Sequence, residues 1–128
     1  MDILIESTED FERDLSELNE GERTEAIKKI NDCADLFQAQ KAEVYRKLRR
    51  LPLSSSTLNG YESSLYMLRV SPKLSVILTV DEDPIFRQVI FTLFRAVKHD
   101  DLDKAYQGIA ESLYQEFLHR NRETVQIS

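Results

Sequence analysis

Leu65-Tyr66-Met67-Leu68-Arg69-Val70, Ser71-Pro72-Lys73, Leu74-Ser75-Val76-Ile77-Leu78-Thr79-Val80, Asp81-Glu82-Asp83-Pro84, then Ile85–Val97: this alternation of apolar runs and turn signals decides the fold. The runs are rich in β-branched, leucine and aromatic residues, and each is too short to span a bilayer, so they read as three strands. Ser71-Pro72-Lys73 and Asp81-Glu82-Asp83-Pro84 read as the hairpin connections between them. The result is an antiparallel meander closed by the polar Lys98-His99-Asp100-Asp101.

Upstream, Asp2-Ile3-Leu4-Ile5-Glu6 predicts a short strand. Ser7 or Thr8 is placed to cap a helix whose first turn carries acids, and Phe11, Leu15 and Leu18 mark its apolar face. Asn19 breaks that helix and caps the next, from Glu20 to about Gln40. Ala26, Ile27, Ile30, Cys33, Ala34 and Phe37 trace its buried stripe. Lys41–Leu53 fits either a continued helix to about Arg50 or an extended segment, and Pro52 stops it. Ser54-Ser55-Ser56-Thr57 reads as loop and Leu58-Asn59-Gly60 as a turn. Downstream, Asp100 and Asp101 offer caps for a last helix with Leu102, Ala105, Tyr106, Ile109, Ala110, Leu113 and Phe117 on its apolar face. The expected fold class is α+β: a small antiparallel β-sheet with an N-terminal helical hairpin on one face and a C-terminal helix, in the order β-α-α-β-β-β-α. One domain should cover 1–119, with 120–128 a polar, fraying tail.

Composition narrows the function classes. At 128 residues the chain is long enough for a core without staples, and 41% apolar with 31% charged residues is ordinary for a globular protein. The lone Cys33, on a helical apolar face, excludes an intramolecular disulfide, suits a cytoplasmic location and is expected to pack. Nothing predicts a membrane contact. The net charge of −6 argues against general nucleic-acid coating. Its distribution is uneven: residues 1–40 hold twelve acids and four bases, whereas 41–50 hold five bases and one acid. That basic island, Arg46, Lys47, Arg49 and Arg50 above all, fits a solvated helix face, a docked acidic partner or local phosphate contact.

The order of elements and four local strings resemble the RelE/ParE superfamily of bacterial toxins. Ile3-Leu4-Ile5-Glu6-Ser7-Thr8-Glu9-Asp10-Phe11 is similar to its first strand and helix start, and Leu58-Asn59-Gly60 to its Leu-x-Gly. Leu65-Tyr66-Met67-Leu68-Arg69-Val70-Ser71 is similar to its Leu-Tyr-x-x-Arg-Val hairpin, and Val97-Lys98-His99-Asp100-Asp101-Leu102-Asp103-Lys104-Ala105-Tyr106 to its Val-x-His-His-Asp-x-Ala-Tyr ending. The resemblance spans about residues 1–117. It implies the toxin of a type II toxin–antitoxin system, a ribosome-dependent mRNA endonuclease that needs no metal or other cofactor. It also implies as partners a cognate antitoxin, the ribosome and mRNA, in a dimer or a toxin–antitoxin hetero-oligomer. The alternative it leaves open is a non-nuclease member of the fold, inhibiting gyrase or inactive.

Under the nuclease reading, His99 serves as acid or base, since imidazole is the side chain suited to proton transfer near neutral pH. Arg95 and Lys98 stabilise the phosphorane, and Tyr106 packs or assists. Arg69, Arg87, Lys47, Arg49 and Arg50 contact RNA. Arg87 and Arg95 are an even number apart, so a regular strand would project both to one side. The chain also departs from the family: Ser75 stands where many nuclease members have arginine, and Tyr66 and Leu68 occupy the places of a common basic pair. No His/Cys cluster with metal-ligand spacing is present, His119 reads as surface, and three glycines are too few for a phosphate cradle.

Overall fold

The computed structural model describes residues 2–50 and 65–112. Strand β1 (Asp2–Ser7) leads through the Thr8 cap into α1 (Glu9–Glu17), and α2 (Glu20–Ala39) follows. Asn19 caps α2, as its position in the sequence predicts, and does so through a capping box with Glu22. The long helix does not continue past Ala39. Gln40 takes φ −144° and ψ 70°, which breaks the helical run, and α3 (Lys41–Lys47) starts at a new angle. That settles the two-way reading of this segment: a short helix, then β2 (Arg49–Arg50), paired to β3 (Leu65–Ser71). The sheet continues with β4 (Leu74–Asp83) and β5 (Gln88–Lys98). A 3-10 turn, His99–Asp101, runs into α4, residues 102–112.

The meander is as expected, but the sheet is mixed rather than antiparallel. Its order is β1-β5-β4-β3-β2, and β1 lies parallel to β5 with Asp2 opposite Gln88 and Ser7 opposite Leu93. The reason is connectivity: α1, α2 and α3 carry the chain from one sheet edge to the other, so β1 returns beside the last strand. The second hairpin also shifts. Asp81, Glu82 and Asp83 stay in β4 opposite Ile90, Val89 and Gln88, and Ile85–Arg87 belong to the turn, not to a strand. The Asp83 carboxylate accepts from the Ile85 and Phe86 amides, which starts the turn at Pro84. Arg87, at φ 52°, closes it in the left-handed region.

Two cores sandwich the sheet. On one face Phe11, Ala26, Ile30, Cys33, Phe37, Val44 and Leu48 pack on Leu68, Val76, Leu78, Val89 and Phe91. Phe37 meets both Phe91 and Tyr45 edge-on, at 5.7 and 5.8 Å. On the other face Ala105 and Ile109 of α4 cover Leu65, Ile77 and Val97. Leu74–Val80 of β4 are buried without a break because both faces are covered, which is why that run shows no alternation. Ile27 is a correction to the expected stripe. It is 43% exposed because it lies about 100° round the helix from Ala26, on the flank of the buried line. Asp100 and Asp101 lie in the 3-10 turn that leads directly into α4; Lys98 precedes that turn without a side-chain cap. Pro52, the Ser54–Thr57 loop, Leu58-Asn59-Gly60, Leu113, Phe117, His119 and the 120–128 tail lie outside the described residues.

Candidate nucleic-acid interface

Strand register sorts the predicted site residues onto two faces. Arg69 pairs with Ser75, and Ser75 with Val97, which belongs to the core beneath α4. Arg69 therefore stands on the α4 side, exposed. Arg49 pairs with Met67, and Met67 with Ile77 of the same core, so Arg49 shares that side. The two arginines are diagonal neighbours on adjacent strands, about 7 Å apart along the backbone. His99 follows β5 directly, and its amide donates to the Lys73 carbonyl, 2.9 Å. That bond pins it to the tip of the β3–β4 hairpin, two strand spacings across and two residues along from Arg69, about 12 Å along the backbone frame. The His99 imidazole is exposed. Asp100 and Asp101 next to it are exposed as well.

Tyr106 stands on α4, half-buried against the Leu65–Ile77–Val97 cluster. Burial pushes its phenol above the ordinary tyrosine range, so near neutral pH it is a hydrogen-bonding group and not a base. Ser75 is buried and places no cation in the row it occupies between Arg69 and Val97.

Arg95 stands opposite Ile77 of the same core but is taken up by Asp14, and the other predicted cations go elsewhere. Arg95 and Ala96 lie where β1 has ended: β1 pairs with β5 only as far as Leu93. A bulge at Phe94 shifts the register between Ile77 and Leu78, and it breaks the even spacing that was to align Arg95 with Arg87. The uncovered edge is met by α1. Thr8 donates its amide to the Leu93 carbonyl and its hydroxyl to the Phe94 carbonyl, both 3.0 Å. Asp14 accepts from Arg95 Nε at 2.6 Å, from the second guanidinium nitrogen at 3.1 Å and from the Ala96 amide at 3.0 Å. The hydrogen bonds from Arg95 to Asp14 hold the guanidinium pKa above its ordinary value. Lys98 sits opposite Leu74, on the side of the helical hairpin, and is ion-paired to Glu22 of α2. Arg50 pairs with Tyr66, which packs on the first core, so it too points away from Arg69 and has contacts of its own. Arg87 is in the exposed β4–β5 turn, and its carbonyl accepts from the Asp2 amide at the far end of the sheet. Lys47 is exposed at the end of α3.

Of the nine predicted residues, Arg69, Arg49, His99 and Tyr106 thus collect on the α4 side, while Arg95 and Lys98 are held by acids of α1 and α2. Those acids, Asp14 and Glu22, are the residues that sequence reasoning missed. Asp14 carried a signal: it lies three residues after Phe11 and beside Leu15, on the inward edge of α1.

Among the described residues no group of histidine, cysteine and acidic side chains could hold a metal ion. No helix there is long and apolar enough to cross a membrane. No protein-family model matches the chain, and a search of curated proteins finds no relative.

Proposed function

We propose that this chain is a toxin of the RelE/ParE type, acting in the cytoplasm on mRNA held by the ribosome and countered by a small antitoxin. The observation that carries the reading is the placing of Arg69 and Arg49 on the α4 side of the sheet, with His99 at the tip of the β3–β4 hairpin. Cleavage by the ribose 2′-hydroxyl needs a base at that hydroxyl, cations on the five-coordinate phosphate and an acid at the leaving 5′-oxygen. His99 supplies the proton transfer, and Arg69 and Arg49 hold the phosphate and its neighbour. Tyr106, kept protonated, orients an oxygen at the side of the site. Arg95 and Lys98 have structural work to do and are not assigned to the phosphate.

A second reading has its own support. With Arg95 and Lys98 paired to Asp14 and Glu22, and Ser75 uncharged, the cation set is thin for a phosphorane. That favours a member of the same fold that binds its target without cutting it. Inducing the chain in a bacterial host without its antitoxin, while mapping mRNA ends, separates the two. Cuts within translated frames that disappear in His99→Ala and weaken in Arg69→Ala support the nuclease. Growth arrest over intact mRNA supports the binding protein, and neither cuts nor arrest removes both.

A further inference from the structure

Every sheet has two edges, and among the described residues β1 is the longest strand stretch here with one side unpaired. The β2 edge is two residues long and carries Arg49 and Arg50, a short charged border that discourages pairing. The free half of β5 is closed by Thr8 and Asp14. Strand β1 has six residues, ends the sheet order, and exposes Leu4 and Ile5 by 42% and 41%. It contains no proline, lysine or bulge among the devices that block strand addition.

The hydrogen bonds of β1 fix which of its groups face outward. The Asp2 amide donates to Arg87 and the Thr8 amide to Leu93, so even-numbered residues point toward β5. The N–H and C=O of Ile3, Ile5 and Ser7 therefore point to the open side. A second strand that lies antiparallel about a two-fold axis must pair residues of like parity. Two registers then compete. Centring on Leu4 sets Asp2 against Glu6 of the other copy, twice, at the closer type of pair, and uses only Ile3 and Ile5 for bonding. Centring on Ile5 joins Ile5 to Ile5 and Ile3 to Ser7, gives roughly six interchain hydrogen bonds and opposes Glu6 to Leu4. No like charges meet in the second arrangement.

We infer that β1 is a homodimer interface, in which two copies of this chain join β1 to β1 antiparallel about Ile5 into one continuous sheet, with the α1–α3 layers of the two copies on the same side. A two-fold contact closes on itself, so the assembly stops at two. It is independent of the reading of Arg69 and His99: Arg69 stands on β3, three places from β1 in the sheet, and His99 follows the end of β5 beyond the residues that β1 pairs.

Sedimentation equilibrium on the purified full chain tests it, the monomer mass being 14.9 kDa. The wild-type protein should approach twice that mass as its concentration rises. Ile5→Lys and Ile5→Asp each place like charges across the axis and should be monomeric, and their equimolar mixture should recover the dimer. Ile3→Pro removes an N–H that the monomer does not use and should also weaken association; circular dichroism checks that each variant keeps its fold. A wild-type monomer at every concentration overturns the inference. So does a dimer that survives Ile5→Lys, which would place the contact elsewhere, or a mixture that stays monomeric.

Discussion

Asp14 shows how one side chain can decide the fate of another. Its carboxylate, only 12% exposed, accepts two bonds from Arg95 and one from the Ala96 amide, at a strand edge that no other strand covers. Asp14→Ala strands a guanidinium that is 33% exposed and an edge amide, and should cost about 2–3 kcal/mol, read as a lowered urea midpoint. Asp14→Asn keeps an acceptor and should cost less. The same pair predicts that Arg95→Ala loses stability, not specific RNA contact: its effect on activity should follow the fraction of folded protein. His99→Ala should do the reverse, leaving the unfolding curve unchanged within about 0.5 kcal/mol while removing cleavage, because the imidazole is exposed. Measuring unfolding and mRNA cleavage side by side on the two variants distinguishes the two roles.

Helix starts with a side-chain cap were the features that sequence patterns located best. Asn19 followed three residues later by Glu22 is a helix-start signature, and both reciprocal bonds form, at 2.8 and 3.4 Å. Asn19→Ala should therefore cost about 1 kcal/mol, seen as a small drop in thermal midpoint with unchanged helical signal. The β3–β4 hairpin and the start of β4 were equally legible, from Ser71-Pro72-Lys73 and from the apolar run Leu74–Val80, although β4 extends beyond that run to Asp83. What could not be read were features set by partners remote in sequence. The parallel placing of β1 depends on where three helices deliver the chain. The turn at Pro84–Arg87 starts late because Gln88, Val89 and Ile90 keep Asp83, Glu82 and Asp81 in register. The site followed the same division: His99 at the end of β5 was visible as a local string, whereas the capture of Arg95 by Asp14 and of Lys98 by Glu22 spans 81 and 76 residues. Likewise Tyr45, pushed above the ordinary range by burial and by Glu82, donates to Glu82 at 2.9 Å and ties α3 to the end of β4.

For the molecule as a whole, two carboxylates that join layers set an acid limit. Glu22 lies below its ordinary 4.5, first because Lys98 donates to it. Burial alone would raise Glu82, but hydrogen bonds from Lys41 and Tyr45 outweigh it and the net shift is also downward from 4.5. Both groups give stability that is complete above the unfolded value and is lost as pH falls through the lower folded value. Urea midpoints should therefore decline below about pH 4.5, and the decline should be shallower in the Lys41→Ala, Lys98→Ala double variant. The parallel pairing of Asp2 with Gln88 has a consequence in time. During synthesis the first strand leaves the ribosome with Ile3, Leu4 and Ile5 bare, and its neighbour is almost the last strand to be made. A nascent chain interrupted before the codons for β5 has no place to put them, and the Asp14 clasp has nothing to hold. Closure of the sheet, and any activity that depends on it, waits until β5 itself has been translated.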